Sequence, residues 1–267
     1  LPFVPGSEVA GVVREAGGSG FARGDRVAAF CVLGGFAEAA AAPVFMTFPL
    51  AEQLDFAQGA SLILNYHTAY FSLVTRGRLA EGETVLVHGA AGGVGTASIQ
   101  VAKGLGARTI AVVSSDEKED VARMAGAGEV VRSDGAWKDE VKELSGGGVD
   151  LVLDPVGGER FTDSLRSLAE GGRLVVVGFT GGSIPEVKVN RLLLDNTEVI
   201  GAGWGAYVMN KPEFCRDLQA ALDPMIATGV VAPIVGARFG MEDAADALEL
   251  IERRRATGKV VLDVRLD

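Results

Sequence analysis

The sequence predicts an α/β protein in which a doubly wound parallel sheet joins a smaller β-rich region. Three observations carry that reading. From about Thr68 to Gly201, compact β-branched runs alternate with amphipathic helical stretches. The first of these runs feeds a glycine cluster and then a helix. Before Leu50, short β-like runs are punctuated by Gly and Pro, as in small barrels and sandwiches.

In the N-terminal zone the β-like runs are Glu8–Glu15, Asp25–Val32 and Phe36–Ala42, separated by Gly17-Gly18-Ser19-Gly20 and Gly34-Gly35. In the middle zone the strands read as Thr84–His88, Thr109–Val113, Glu129–Arg132, Leu151–Asp154 and Arg173–Gly178, with a last run at Asn196–Trp204. Near-continuous apolar runs of this length are expected of parallel strands covered by helices on both faces. Together they form a βαβ array. A helical stretch, Pro212–Thr228, follows, then Ala232–Phe239, a last helix Met241–Arg255 and a strand Val260–Val264.

Composition narrows the function. The 267 residues suffice for a sizeable core, and 37 glycines are about twice the usual ~7%. Lys and Arg number 25 against 35 Asp and Glu, a net charge of −10 that repels a phosphate backbone and argues against nucleic acid as a partner. No apolar run approaches the ~20 residues of a membrane-spanning helix. No signal-peptide pattern is present, and Cys31 and Cys215 are too few for a disulfide framework, so a reducing cytoplasm is the expected location. The opening Leu1-Pro2-Phe3-Val4-Pro5-Gly6 lacks an initiator Met and reads like the middle of a domain, which leads us to expect an N-terminally truncated chain.

The strongest local signal is Thr84-Val85-Leu86-Val87-His88-Gly89-Ala90-Ala91-Gly92-Gly93-Val94-Gly95. Small residues let the backbone turn sharply and approach a pyrophosphate, and the helix start then offers N–H donors and a partial positive charge. The strict G-x-G-x-x-G pattern is broken by Ala90, but the surrounding βαβ array points to a dinucleotide. Which dinucleotide is read at the end of the second strand. An NAD-specific fold places an acid there for the ribose 2′-hydroxyl. This strand ends Val112-Val113-Ser114-Ser115, with Asp116, Glu117 and Lys118 after it. Ser114 and Lys118 leave room and charge for a 2′-phosphate, which favours NADPH. The same residues also read as a helix N-cap and a solvated lysine.

These residues carry a family likeness. Gly82 to Gly95, with Gln100 and Lys103, resembles the signature of zinc-independent quinone oxidoreductases, the zeta-crystallin-like family of the medium-chain dehydrogenase/reductase superfamily. Supporting pieces are Pro5-Gly6-Ser7-Glu8-Val9-Ala10-Gly11, Gly24-Asp25-Arg26-Val27, Asn65-Tyr66-His67-Thr68-Ala69, Asp154-Pro155-Val156-Gly157-Gly158 and Thr257-Gly258-Lys259-Val260-Val261-Leu262. The resemblance implies a Rossmann NADP-binding domain, residues 70–205, inserted in a GroES-like β-barrel catalytic domain. That second domain is built from residues 1–69 and 206–267, and the likeness implies that it is incomplete at its N-terminus. Zinc-dependent relatives carry Gly-His-Glu where this chain has Gly6-Ser7-Glu8, and a cysteine where it has Leu64. Serine and leucine are not practical zinc ligands, so no metal is expected.

The implied reaction passes reducing equivalents from NADPH to a quinone or an α,β-unsaturated carbonyl. By motif match, Ala91, Gly92, Gly93 and Val94 meet the pyrophosphate, while Ser114, Lys118 and Arg255 hold the adenosine phosphate. Thr68 lies near the nicotinamide and Asn65 on the substrate side. Val156, Gly178, Phe179 and Thr180 follow later parallel strands, at the carboxyl edge where such ligands bind. Tyr66 reads either as a proton donor or as a packed aromatic, and Arg255 either as a phosphate ligand or as part of a solvated basic helix end. His88 reads as a core or turn residue. An enoyl-thioester reductase and a nucleotide-binding, crystallin-like protein without turnover are the alternatives. The last strand of the sheet, an edge containing Val199 and Ile200, predicts a homodimer.

Overall fold

A computed structural model describes residues 2–264, which divide into two units. One holds the stretches up to His67 and from Ala206 onward, and the other is Thr68–Gly205.

The first unit begins with three strands, β1 (Glu8–Val12), β2 (Arg26–Phe30) and β3 (Thr47–Pro49), in one antiparallel sheet of that order. The β1–β2 connection needs positive φ at Gly17, Gly18, Gly20 and Gly24, a region that side-chain-bearing residues rarely enter. The run Phe36–Ala42 does not form a strand. Five of its residues are alanine, which packs poorly on a pleated surface, and Phe36 makes only an isolated backbone bond to the Pro5 carbonyl. Helix α1 (Phe56–Gly59) is started by a capping box between Asp55 and Gln58. Helix α2 (Ile63–Tyr70) runs into a π-helical turn, Phe71–Arg76, so the boundary between the units falls inside α2.

The second unit follows in regular alternation: β4 (Thr84–Val87), α3 (Gly93–Gly104), β5 (Arg108–Val113), α4 (Asp116–Met124), β6 (Glu129–Arg132), α5 (Trp137–Ser145), β7 (Val149–Asp154), α6 (Phe161–Arg166), β8 (Leu168–Val176), α7 (Asn190–Asp195) and β9 (Glu198–Gly201). The strands are all parallel, in the order β6-β5-β4-β7-β8-β9. Chain direction across the sheet therefore reverses between β4 and β7, the switch point at which open α/β sheets bind ligands. Leu86, Ile110, Val112, Val131, Val152 and Leu174 from the sheet pack with Trp137, Val141, Phe161 and Leu165 from the helices.

The last run of this unit is shorter than its sequence suggests. Asn196, at φ 51°, closes α7 in the left-handed conformation, and Trp204 starts a helix, so only Glu198–Gly201 pairs. The Ala202 N–H donates to the Val176 carbonyl. Alternation along the strand then turns the backbone groups of Val199 and Gly201 to the outer edge. There the Gly201 carbonyl accepts from Arg76 Nε, and Glu198 pairs with Arg78.

The chain returns to the first unit within α8 (Trp204–Asn210) and continues with α9 (Phe214–Ala227), β10 (Val235–Gly240), α10 (Ala244–Glu252) and β11 (Lys259–Asp263), with β10 and β11 parallel. The helix expected over Met241–Arg255 is α10, preceded by a single 3-10 turn and stopped by Arg254 at φ 57°. Among the described residues, no helix is long and apolar enough to cross a membrane.

Candidate nucleotide-binding site

Strand β4 is buried throughout, and its last residue hands over to a turn at the switch point. Gly89, at φ 58°, makes the reversal. A Cβ at Gly95 would run into the Gly89 carbonyl, so glycine there lets α3 start directly against the turn. The Gly92 N–H is spent on the Gly89 carbonyl. Gly92 is also the N-cap of α3, with no side chain capping the helix. The first N–H groups of a helix have no intrahelical acceptor, so the backbone of Gly93 and Val94, half-buried, offers donors and the positive end of the helix dipole.

At the end of β5, Ser115 rather than Ser114 is the N-cap of α4 and accepts from the Lys118 N–H. The exposed Ser114 hydroxyl instead accepts from Lys118 Nζ at 3.2 Å. The two residues read as phosphate ligands therefore face each other, and the helix-cap reading passes to Ser115. No carboxylate sits on Ser114 or Ser115 themselves. Asp116, the first residue of α4, points to Arg132 at the end of β6, with Oδ1 3.2 Å from the guanidinium.

The third wall comes from the loops after β7 and β8. Asp154 is buried and accepts from the N–H groups of Val156 and Gly157, both at 2.8 Å. This Asx turn aims Val156 back toward the glycine turn, where a Cβ on Gly89 would lie 3.3 Å from Val156 Cγ2. The Thr180 N–H and hydroxyl both donate to the Pro155 carbonyl, and the Gly181 N–H donates to that of Val156. Gly92 to Val94, Val156 and Gly178 to Thr180 are thus gathered at the carboxyl edge of the sheet, with Phe179 exposed there.

Behind the turn, His88 is buried with Nε2 2.8 Å from Ser164 Oγ. Ser164 donates its own proton to the Arg160 carbonyl, so His88 Nε2 carries the hydrogen and donates. Trp137 stands edge-on to the imidazole at 5.2 Å. Burial pushes the His88 pKa down to about 4, with Asp154 opposing and Arg160 adding to the shift. The core reading of His88 fits this setting.

The remaining candidates lie elsewhere in the chain. Asn65, Tyr66 and Thr68 are carried on α2, all buried, and Asn65 Nδ2 donates to the Ser61 carbonyl at 3.4 Å. Burial drives the Tyr66 hydroxyl pKa well above its ordinary value, which weighs for the packed reading of that side chain. Asn65 and Tyr66 belong to the first unit. So does Arg255, exposed just beyond α10 rather than on it. In the same unit the buried Glu8 carboxylate accepts from the Leu64 N–H at 2.7 Å, at the start of α2, and pairs with Lys259. Ser7 and Leu64 supply no metal ligand. Among the described residues, no three His, Cys, Asp or Glu side chains converge.

Two positions were not singled out from the sequence for their own roles. Asp154 precedes a Pro and two glycines, a spacing that signals an Asx turn. Arg132 has no local signal, because only the β5–β6 register brings it to Asp116.

Residues 93–223 match the zinc-binding dehydrogenase family, a stretch containing neither Ser7 nor Leu64. The chain is 42% identical to the bovine quinone oxidoreductase-like protein 2 over 99% of its own length and 77% of that protein. A probable oxidoreductase from Mycobacterium abscessus superposes with a TM-score of 0.88 at 45% identity, covering 98% of this chain and 80% of that one. The quinone oxidoreductase of Thermus thermophilus, solved alone and with NADPH, gives 0.85 at 35% identity, over 100% of this chain and 82% of that one. With its parallel six-stranded sheet, glycine turn and these relatives, the chain belongs to the zinc-independent quinone oxidoreductase family of the medium-chain dehydrogenase/reductase superfamily.

Proposed function

We propose that the chain binds NADPH at the β4–β7 switch point and uses it to reduce a quinone or an α,β-unsaturated carbonyl. The observation that carries this reading is the pairing of an uncapped α3 start with a β5 end where Lys118 and Ser114 stand in place of an acid. The cofactor, when bound, supplies the hydride.

The backbone of Ala91, Gly93 and Val94 would hold the pyrophosphate by N–H donation, with Gly92, whose N–H is taken by the Gly89 carbonyl, leaving room for it. Ser114 and Lys118, with Arg255, would hold the 2′-phosphate. Val156, Gly178, Phe179, Thr180 and Thr68 would line the nicotinamide end and exclude water. Asn65 would orient the acceptor; Tyr66 would deliver a proton only in the donor reading, against which its burial weighs. A conjugated acceptor spreads the developing negative charge over a distant oxygen, so a site with Ser7 and Leu64 at the ligand positions needs no Lewis acid there. In this reading residues 70–205 form the cofactor domain, residues 1–69 and 206–267 the catalytic domain, and two chains pair through the outer edge of β9.

Steady-state assays with NADPH and, in turn, 1,4-benzoquinone, methyl vinyl ketone and crotonyl-CoA test the substrate class. Turnover of the quinone or the enone, unaffected by chelators, is the expected result. Turnover of the thioester alone would place the protein among enoyl-thioester reductases instead.

A further inference from the structure

Arg132 ends β6 and pairs in register with Val113, the residue just before Ser114. The Ser133 N–H donates to the Val113 carbonyl at 2.8 Å, which fastens Arg132 beside the end of β5. Its side chain is half-buried, and the buried Nη1 lies 3.2 Å from the carboxylate of Asp116, whose side chain is 99% exposed. An ion pair with one partner wholly in water is weak and exchangeable. On the same first turn of α4, Lys118 Nζ is held 3.2 Å from Ser114 Oγ. Two cations therefore flank the place where the adenosine ribose is expected, and Arg132 is loosely held by the exposed Asp116 carboxylate.

We propose that Arg132 is a specificity-determining residue for the 2′-phosphate, and that Asp116 is its exchangeable counter-ion. This rests on the NADPH reading of the site. In the free protein Arg132 is neutralised by Asp116. With NADPH, Arg132 exchanges that carboxylate for two phosphate oxygens, to which its planar fork is better matched, and Asp116 turns to water. With NADH, the ribose hydroxyl gives Arg132 nothing that Asp116 does not already give, so the pair stays closed. Discrimination then comes from the difference between a strong bidentate contact and a weak surface pair. Lys118 contributes as a point charge in either case.

The test is an equilibrium fluorescence titration of the parent, Arg132→Ala, Arg132→Lys and Asp116→Asn with NADPH and NADH. Competition with adenosine 2′,5′-bisphosphate serves as a readout independent of turnover. Arg132→Ala should weaken NADPH and the bisphosphate roughly ten- to a hundredfold and leave NADH unchanged. Arg132→Lys should fall between Arg132→Ala and the parent. Asp116→Asn should tighten NADPH by roughly two- to fivefold, again without effect on NADH. A parent that prefers NADPH, with that preference intact in Arg132→Ala, overturns the inference alone. Equal loss of both cofactors in Arg132→Ala marks a structural role and also overturns it. A parent that binds neither cofactor overturns the functional reading and the inference together.

Discussion

Gly93 and Val94 open α3 with half-buried backbone and no capping side chain, whereas Gly95, one residue on, is pressed against the Gly89 carbonyl. Two glycines of one motif therefore do different work. At Gly93, which has no positive φ, a branched side chain would stand in the space a pyrophosphate needs. Gly93→Val should fold normally by circular dichroism and lose NADPH affinity at least tenfold in a fluorescence titration, about 1.4 kcal/mol or more. Retained affinity would contradict the turn assignment. At Gly95 even Ala should disturb the turn itself. The glycine cluster, Ser114 and Lys118 were legible because each is a local pattern. Arg132 was not, since its partner Asp116 lies across a strand pair whose register no local pattern reveals. The choice between Ser114 and Ser115 as N-cap also turned on a one-residue difference in where α4 begins.

The elements of the second unit are tied together by Arg173, almost fully buried in β8. It donates to the carbonyls of Gly77, Arg78 and Asp150 and holds both oxygens of Glu83 at 2.8 Å. That pairing keeps the Glu83 carboxyl below the usual range. Arg173→Met would strand Glu83 and three carbonyls, and should destabilise the unit by about 3–5 kcal/mol in urea denaturation. Two buried imidazoles make a second prediction. His88 faces Ser164, Trp137, Asp154 and Arg160, and His67 faces Gln219 and Phe48. Burial holds both near pKa 4, against 6.5 in the unfolded chain. Between those values the unfolded chain binds protons that the folded one refuses. Stability is thus unaffected by these groups above about pH 7 and falls as pH drops through the window. Each should contribute a loss of about 2 kcal/mol between pH 7 and pH 5. Equal urea midpoints at the two pH values would contradict the assignment. Parallel strands were legible as elements, because burial on both faces writes them as apolar runs. Phe36–Ala42 and the ends of Asn196–Trp204 were misread because small or apolar residues also occur where no partner strand is available.

At the scale of the molecule, the order of the strands places the glycine turn at the switch point, and the sequence alone could predict the array but not that order. The same order leaves β9 with one neighbour, and Val199 turns its N–H and carbonyl to the open side. Arg76 and Arg78 already engage the two ends of that edge, at Gly201 and Glu198. The proposed homodimer pairs what lies between them. Val199→Pro removes the outward donor without breaking the β8 ladder, and should shift sedimentation toward monomer. A parent that sediments as a monomer, or a dimer indifferent to Val199→Pro, would count against this interface. The central claim, an NADPH-specific oxidoreductase site at the β4–β7 switch point, is tested most directly by titrating the protein with NADPH and NADH and then adding 1,4-benzoquinone to the saturated complex. The account predicts that NADPH binds roughly tenfold or more tightly than NADH and that the quinone discharges its fluorescence through oxidation. Equal or tighter binding of NADH, or bound NADPH untouched by the quinone, would contradict it.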